Sequence, residues 1–132
     1  KMRRRDARIL AMQVLYAYDF NQITIEEALQ TVMVEDDPVA KEMVFHCYRH
    51  LTQVDELIEG SLENYHMNRL NLVDKAILRL AVSEMLTDQP RNIIINEALE
   101  ITKQFSDQGD HKATAFNNRL LDKINKKLKQ VN

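Results

Sequence analysis

Residues Leu70–Leu86, LNLVDKAILRLAVSEML, decide the architecture of this chain. Set on a helix at about 100° per residue, Val73, Ala76, Ile77, Leu80 and Ala81 form one apolar stripe, and Leu78, Val82 and Met85 carry it round the side. Only Lys75, Arg79 and Ser83 leave a narrow polar strip. A helix apolar over most of its circumference has to be covered from several directions. The segment is therefore expected to be a buried axle, with elements from both halves of the chain packed on it. Two carboxylates, Asp74 and Glu84, fall on its apolar side. Asp74 reads either as a capping carboxylate or as an exposed charge beside Ile77 and Leu78 that marks a protein interface. Glu84 lies deeper and needs an arginine or a hydroxyl, because an unpaired buried carboxylate is costly.

Working outward, the flanking sequence is helical throughout. Ile9, Met12, Tyr16 and Phe20 share a stripe on a first helix from about Asp6 to Phe20. Thr24-Ile-Glu-Glu27 reads as a capping box opening a second helix that runs to about Met33. Asp37-Pro38 is a cap followed by proline at the first helical position, opening a third helix to about Leu51 with Ala40, Met43, Val44, Cys47, Tyr48 and Leu51 inward. Thr52 and Asp55 look like a further capping box, so a fourth helix is placed from about Gln53 to Tyr65, with Gly60 weakening it. Asn71 caps the axle. A sixth helix covers about Ile93–Phe105, and a seventh about Lys112–Lys129, with Phe116, Leu120, Ile124 and Leu128 at helical spacing. Two glycines and two prolines are too few for the reversals of an all-β protein. The expectation is an all-α fold of about seven helices in one domain spanning residues 1–132.

Composition narrows the setting. A lone cysteine, Cys47, forms no internal disulfide and fits a reducing compartment. No apolar run approaches the roughly 20 residues of a membrane span, so a soluble cytoplasmic protein without a membrane partner is expected. Net charge is −2, yet Arg3, Arg4, Arg5 and Arg8 crowd one end and Lys123, Lys126, Lys127 and Lys129 the other. Such local clusters, not the sum, set the field a partner meets.

Catalytic and metal signatures are weak. Gly60 and Gly109 are isolated, so no glycine-rich phosphate loop exists. His46 and His50 project away from the face that holds Cys47, which reads as an inert core thiol. Glu42, His46 and His50 share a face at four-residue spacing but have no second ligand cluster, and Glu63-x-x-His66 occurs once where di-iron bundles need two copies. No enzyme, metal or cofactor is expected.

The arginines carry more. Cations at a helix N-terminus oppose its dipole, so Arg3–Arg8 do not serve helix stability. They are either a frayed, solubilising tail or a phosphate-contacting arm. Arg8 favours the arm, since it sets one cation on the ordered helix. Gln13, about a turn on, either reads a base edge or faces water.

Four segments, RRRDARILAMQVLYAYDF (Arg3–Phe20), VDKAILRLAVSEML (Val73–Leu86), NIIINEALEITKQF (Asn92–Phe105) and FNNRLLDKI (Phe116–Ile124), fall in the order and register of the NusB family of bacterial transcription antitermination factors, which the chain resembles over nearly its whole length. The resemblance implies two small helical bundles sharing a buried central helix. It also implies a non-catalytic protein that binds the boxA element of ribosomal-RNA leaders with the small-subunit ribosomal protein also called NusE, within an RNA polymerase antitermination complex. By motif, Arg4, Arg5 and Arg8 match the family's RNA-contacting arginines, and Phe116 and Asn118 its closing Phe and Asn near the RNA. Tyr16 and Asp74 match family residues implicated in binding the ribosomal protein, and Ile77, beside Asp74, is the third candidate for that surface. The sequence departs from the closing motif: Ala113, Thr114 and Ala115 stand where the family has Ser-His-Lys, and Arg119 replaces its glycine. Lys112 and Arg119 are the candidate substitutes for the missing lysine, while Asp6 lowers the field of the arm.

The RNA-binding set expected from the sequence is thus Arg3, Arg4, Arg5, Arg8, Gln13, Lys112, Phe116, Asn118 and Arg119. Two rival readings stand beside it. One is the NusB-like domain of a ribosomal-RNA cytosine methyltransferase, which needs a following α/β domain that these residues do not contain. The other is a structural homodimer in the absence of RNA.

Overall fold

The computed structural model describes residues 3–64 and 66–131, and among these all regular structure is helical. The elements are α1 (Arg4–Asn21), α2 (Ile25–Val32), α3 (Pro38–Arg49), α4 (Leu51–Ser61), a 3₁₀ turn (Met67–Arg69), α5 (Leu72–Met85), α6 (Arg91–Phe105) and α7 (Lys112–Val131). No helix among the described residues is long and apolar enough to cross a membrane.

Local chemistry starts three helices where the sequence places them. Thr24 Oγ1 accepts from Glu27 N–H at 3.1 Å and Thr24 N–H donates to Glu27 Oε1 at 2.9 Å, a complete capping box. Asp37 Oδ1 accepts from the amides of Val39 and Ala40, with Pro38 at the first helical position. Asn71 Oδ1 accepts from the amides of Val73 and Asp74. The expected Thr52–Asp55 box does not form. α4 begins at Leu51 with His50 as its uncapped N-terminus, because the Asp55 carboxylate is taken by the Arg79 guanidinium (2.9 and 3.0 Å). α4 also ends at Ser61 rather than reaching Tyr65, which lies outside the described residues. There, Lys127 of α7 donates to Gly60 O and Ser61 Oγ, both at 2.8 Å, satisfying a helix C-terminus that its own segment leaves open.

α5 is the axle. Every residue from Ala76 to Met85 is buried, Arg79 and Ser83 of the polar strip included, while Lys75 is half-buried. Arg79 is held by Asp55, Lys75 by Asp19 at 3.2 Å, and Ser83 Oγ donates to Leu80 O. α1, α2 and α3 form one bundle and α4, α6 and α7 the other; α5 contacts α1 and α3 on one side and α4, α6 and α7 on the other. One apolar core runs through both, drawing Val14, Ile25, Val44 and Ile58 together with Leu78, Val82, Ile94, Leu121 and Ile124. Fully burying each of these side chains contributes about 1.5–3 kcal/mol. Two inward assignments are corrected. Tyr48 is exposed, and so is Phe20, since the last turn of α1 projects beyond the core.

α1 runs antiparallel to α5. Arg8 meets Glu84 near one end, Met12 and Ile77 line the same small cavity in the middle, and Asp19 meets Lys75 near the other. This register decides which candidate residues are available for binding.

Candidate nucleic-acid interface

Arg3 is the N-cap of α1 and offers no side-chain capping bond, so Arg3, Arg4 and Arg5 crowd the positive end of a helix dipole with Asp6 as the only acid in the first turn. Arg3 and Arg4 are exposed and have no ion-pair partner among the described residues. Arg5 makes a bidentate contact with Glu97 of α6, Nε–Oε1 and Nη2–Oε2 both 2.8 Å. The pair raises the Arg5 pKa and lowers that of Glu97, each mainly through the side-chain hydrogen bond. These arginines line a groove of about 540 Å³ with Gln89, Pro90 and Ile93.

Arg8 is a correction. It is 4% exposed and its guanidinium grips Glu84, Nε–Oε1 at 2.8 Å and Nη2–Oε2 at 3.0 Å, with Gln89 Oε1 at 3.3 Å. The antiparallel register turns this position onto the axle, so Arg8 is the counter-charge that Glu84 requires and presents no free cation to RNA. Gln13 is exposed on α1 about two turns beyond Arg5.

The second group of candidates lies at the start of α7. Lys112, Phe116 and Arg119 line a groove of about 980 Å³ with Asn64, Arg69 and Asn71. Lys112 and Arg119 are exposed and have no acidic partner among the described residues, while Phe116 is half-buried in the wall. Asn118 is exposed but is not part of this lining. α7 starts where it does because Asp107 gathers the preceding turn. It accepts from the amides of Gly109 (2.8 Å) and His111 (3.0 Å) and from Thr114 Oγ1 (2.6 Å), and these bonds, the Thr114 hydroxyl first, hold its pKa at about 2.

Asp74 borders the same groove but is not an exposed charge: it is 8% exposed, and its Oδ1 accepts from Ser106 Oγ at 2.6 Å and Asn117 Nδ2 at 3.2 Å. Asn117, which also donates to Thr102 Oγ1 at 3.0 Å, was not singled out from the sequence. Its signal was an amide three residues before Leu120 on the apolar side of α7. Ile77 is corrected as a contact residue, because it is 2% exposed and packs beneath the surface. Tyr16 stays half-buried at that surface and stacks on the exposed Phe20, ring centroids 5.5 Å apart and planes 8° from parallel.

The candidate cations thus form two clusters at opposite ends of α5. One lies by Glu84 and the other by Asp74, ten positions and so roughly 15 Å apart along the helix. Cys47 and the Glu42, His46 and His50 face of α3 have partners within the fold. Cys47 is fully buried, its thiol pushed up to about 12 by desolvation, with Sγ–H directed at Arg79 O. His46 Nε2–H donates to Ser83 O and His50 Nδ1–H to His46 O, while Glu42 pairs with Arg49. No cluster of three metal-ligating side chains exists among the described residues.

Comparison with known proteins places this geometry. The sequence profile of the NusB family matches residues 5–126. The transcription antitermination protein NusB of Bacillus subtilis (strain 168) is 40% identical over 133 residues, covering 98% of this chain and 99% of that protein. Among solved structures, T. maritima NusB superposes with a TM-score of 0.84 at 30% identity, covering 96% of this chain and 92% of that one. A crystal structure of antitermination factors NusB and NusE in complex with dsRNA matches with a TM-score of 0.78 at 26% identity, covering 94% and 96%.

Proposed function

We propose, from the premise that this chain belongs to the NusB family, that it is a non-catalytic RNA-binding antitermination factor. In this reading residues 1–132 act as one domain in the cytoplasm. The domain grips boxA-type leader RNA together with the small-subunit ribosomal protein NusE and helps RNA polymerase read through terminators, chiefly in ribosomal-RNA operons. The observation that carries it is the pair Arg3 and Arg4, without an ion-pair partner among the described residues and exposed at a helix N-terminus whose dipole disfavours them. A polyanion supplies the compensating charge. Arg5 joins them by exchanging Glu97 for a phosphate. Lys112, Phe116 and Arg119 extend the contact at the other end of α5, with cations for the phosphates and a ring for an unpaired base. Asn118 and Gln13, both exposed, are available to base edges. Tyr16, Phe20 and the edge of Asp74 offer the ribosomal protein its surface.

The test is binding of a boxA RNA, single-stranded and as a duplex, with and without NusE, comparing wild type with Arg4→Ala/Arg5→Ala across salt. Each lost phosphate contact to a single strand flattens the log–log salt slope by about 0.7. An unchanged slope and affinity in the double variant would remove the arm from the RNA site.

A further inference from the structure

The basic side chains around α7 divide into two kinds. Lys123 is held by Glu63 at 2.8 Å, Lys126 by Asp122 at 3.2 Å, and Lys127 closes the end of α4. Lys112 and Arg119 have no acidic partner among the described residues, and neither has Arg69, on the 3₁₀ turn that borders the same groove.

Arg69 stands on a firmly pinned piece of backbone. Its own N–H donates to His66 O at 3.0 Å and Leu70 N–H donates to Met67 O at 3.1 Å. Met67 and Leu70 are buried on either side, and Met67 N–H is held by Glu59 Oε2 at 2.6 Å. An exposed arginine on a fixed turn is presented to the groove at little ordering cost. The acid of that lining, Asp74, is buried and engaged by Ser106 and Asn117. The groove therefore offers three cations from two separate elements, with a half-buried phenyl ring and the small side chains Ala113 and Ala115 between them. Guanidinium forks match phosphate oxygens, and an aromatic wall matches a base face. That combination suits a single nucleic-acid strand rather than a lone anion, for which the ring has no use.

We propose that Arg69 is a phosphate ligand of the RNA strand this groove accepts, and that it supplies positive charge from the 3₁₀ turn to a groove that Lys112, Ala115 and Arg119 line from α7. The inference rests on the RNA-binding reading above and adds a residue from outside both the arm and α7.

The experiment uses the full chain and a labelled single-stranded boxA RNA with NusE present, and measures Kd from about 50 to 200 mM salt. Arg69→Gln should melt with wild type, bind about ten-fold more weakly at the lowest salt, and flatten the slope by about 0.7. Arg69→Lys should keep the slope, because the charge remains, with an intermediate Kd. Arg69→Gln/Ala115→Lys should recover the wild-type slope, because a lysine at 115 returns a cation to the same groove. Unchanged Kd and slope in Arg69→Gln, while Arg4→Ala/Arg5→Ala flattens the slope, overturns the role of Arg69 and leaves the arm standing. Loss of binding with no recovery in the Ala115→Lys background also overturns it, since charge in the groove would not be what the RNA needs. Absence of binding by wild type overturns the RNA reading itself.

Discussion

Replacing Arg8 by methionine separates a structural arginine from a binding one. The Arg8 and Glu84 side chains are 5% and 6% exposed and joined at 2.8 Å, so the substitution leaves a buried carboxylate without its counter-charge. Breaking a buried pair from one side costs about 3–5 kcal/mol. For a domain of this length each kcal/mol lowers Tm by roughly 4 °C, so the expected drop is about 12–20 °C. Arg8→Met/Glu84→Met removes both charges and replaces them with side chains of similar volume. It should regain most of the lost Tm, because an apolar substitute for a buried pair is often neutral or better. The assay is thermal melting by circular dichroism of wild type, both single variants and the double. It is paired with RNA salt titrations below the lowest Tm, in which Arg8→Met should keep the wild-type slope. A variant that melts within about 2 °C of wild type while its slope flattens by about 0.7 would falsify the assignment of Arg8 to the core.

Other outcomes follow from the same geometry. Glu97→Gln releases Arg5 from its bidentate hold and should tighten RNA binding roughly two- to five-fold with a steeper salt slope; an unchanged titration would put Arg5 outside the interface. Cys47, buried with its thiol pushed up to about 12, should resist alkylation at neutral pH in the native protein and react in urea, and rapid native labelling would contradict its burial. Asp107 is held at about 2, below its ordinary 3.8. Its contribution is therefore fully present above pH 3.8 and is lost as pH falls towards 2. The urea midpoints of wild type and Asp107→Asn should differ at pH 7 and converge near pH 2, whereas a pH-independent difference would mean that the charge is irrelevant to the turn.

What the sequence by itself determined is whatever depends on neighbours within a turn or two. The all-round apolar pattern of α5 identified the axle, because hydrophobic periodicity is a local property that any packing must satisfy. Thr24 with Glu27, Asp37 with Pro38, and Asn71 announced helix starts, because a capping side chain reaches only two or three residues along its own backbone. The need of Glu84 for a partner was equally legible, since it follows from the cost of burying charge. The identity of that partner was not. Arg3, Arg4, Arg5 and Arg8 are the same residue type within six positions, and only the register of α1 on α5 sends the last inward to Glu84 and leaves the first two in solvent. Asp55 looked like a cap because Arg79, 24 residues away, is invisible to a local pattern. Asn117, Thr102, Ser106 and Asp74 meet only where three helices converge, and Arg69 joins Lys112 and Arg119 only across a groove between two elements. Ion pairs and shared surfaces are set by how helices dock, and docking is decided by the summed burial of the whole core rather than by any one segment.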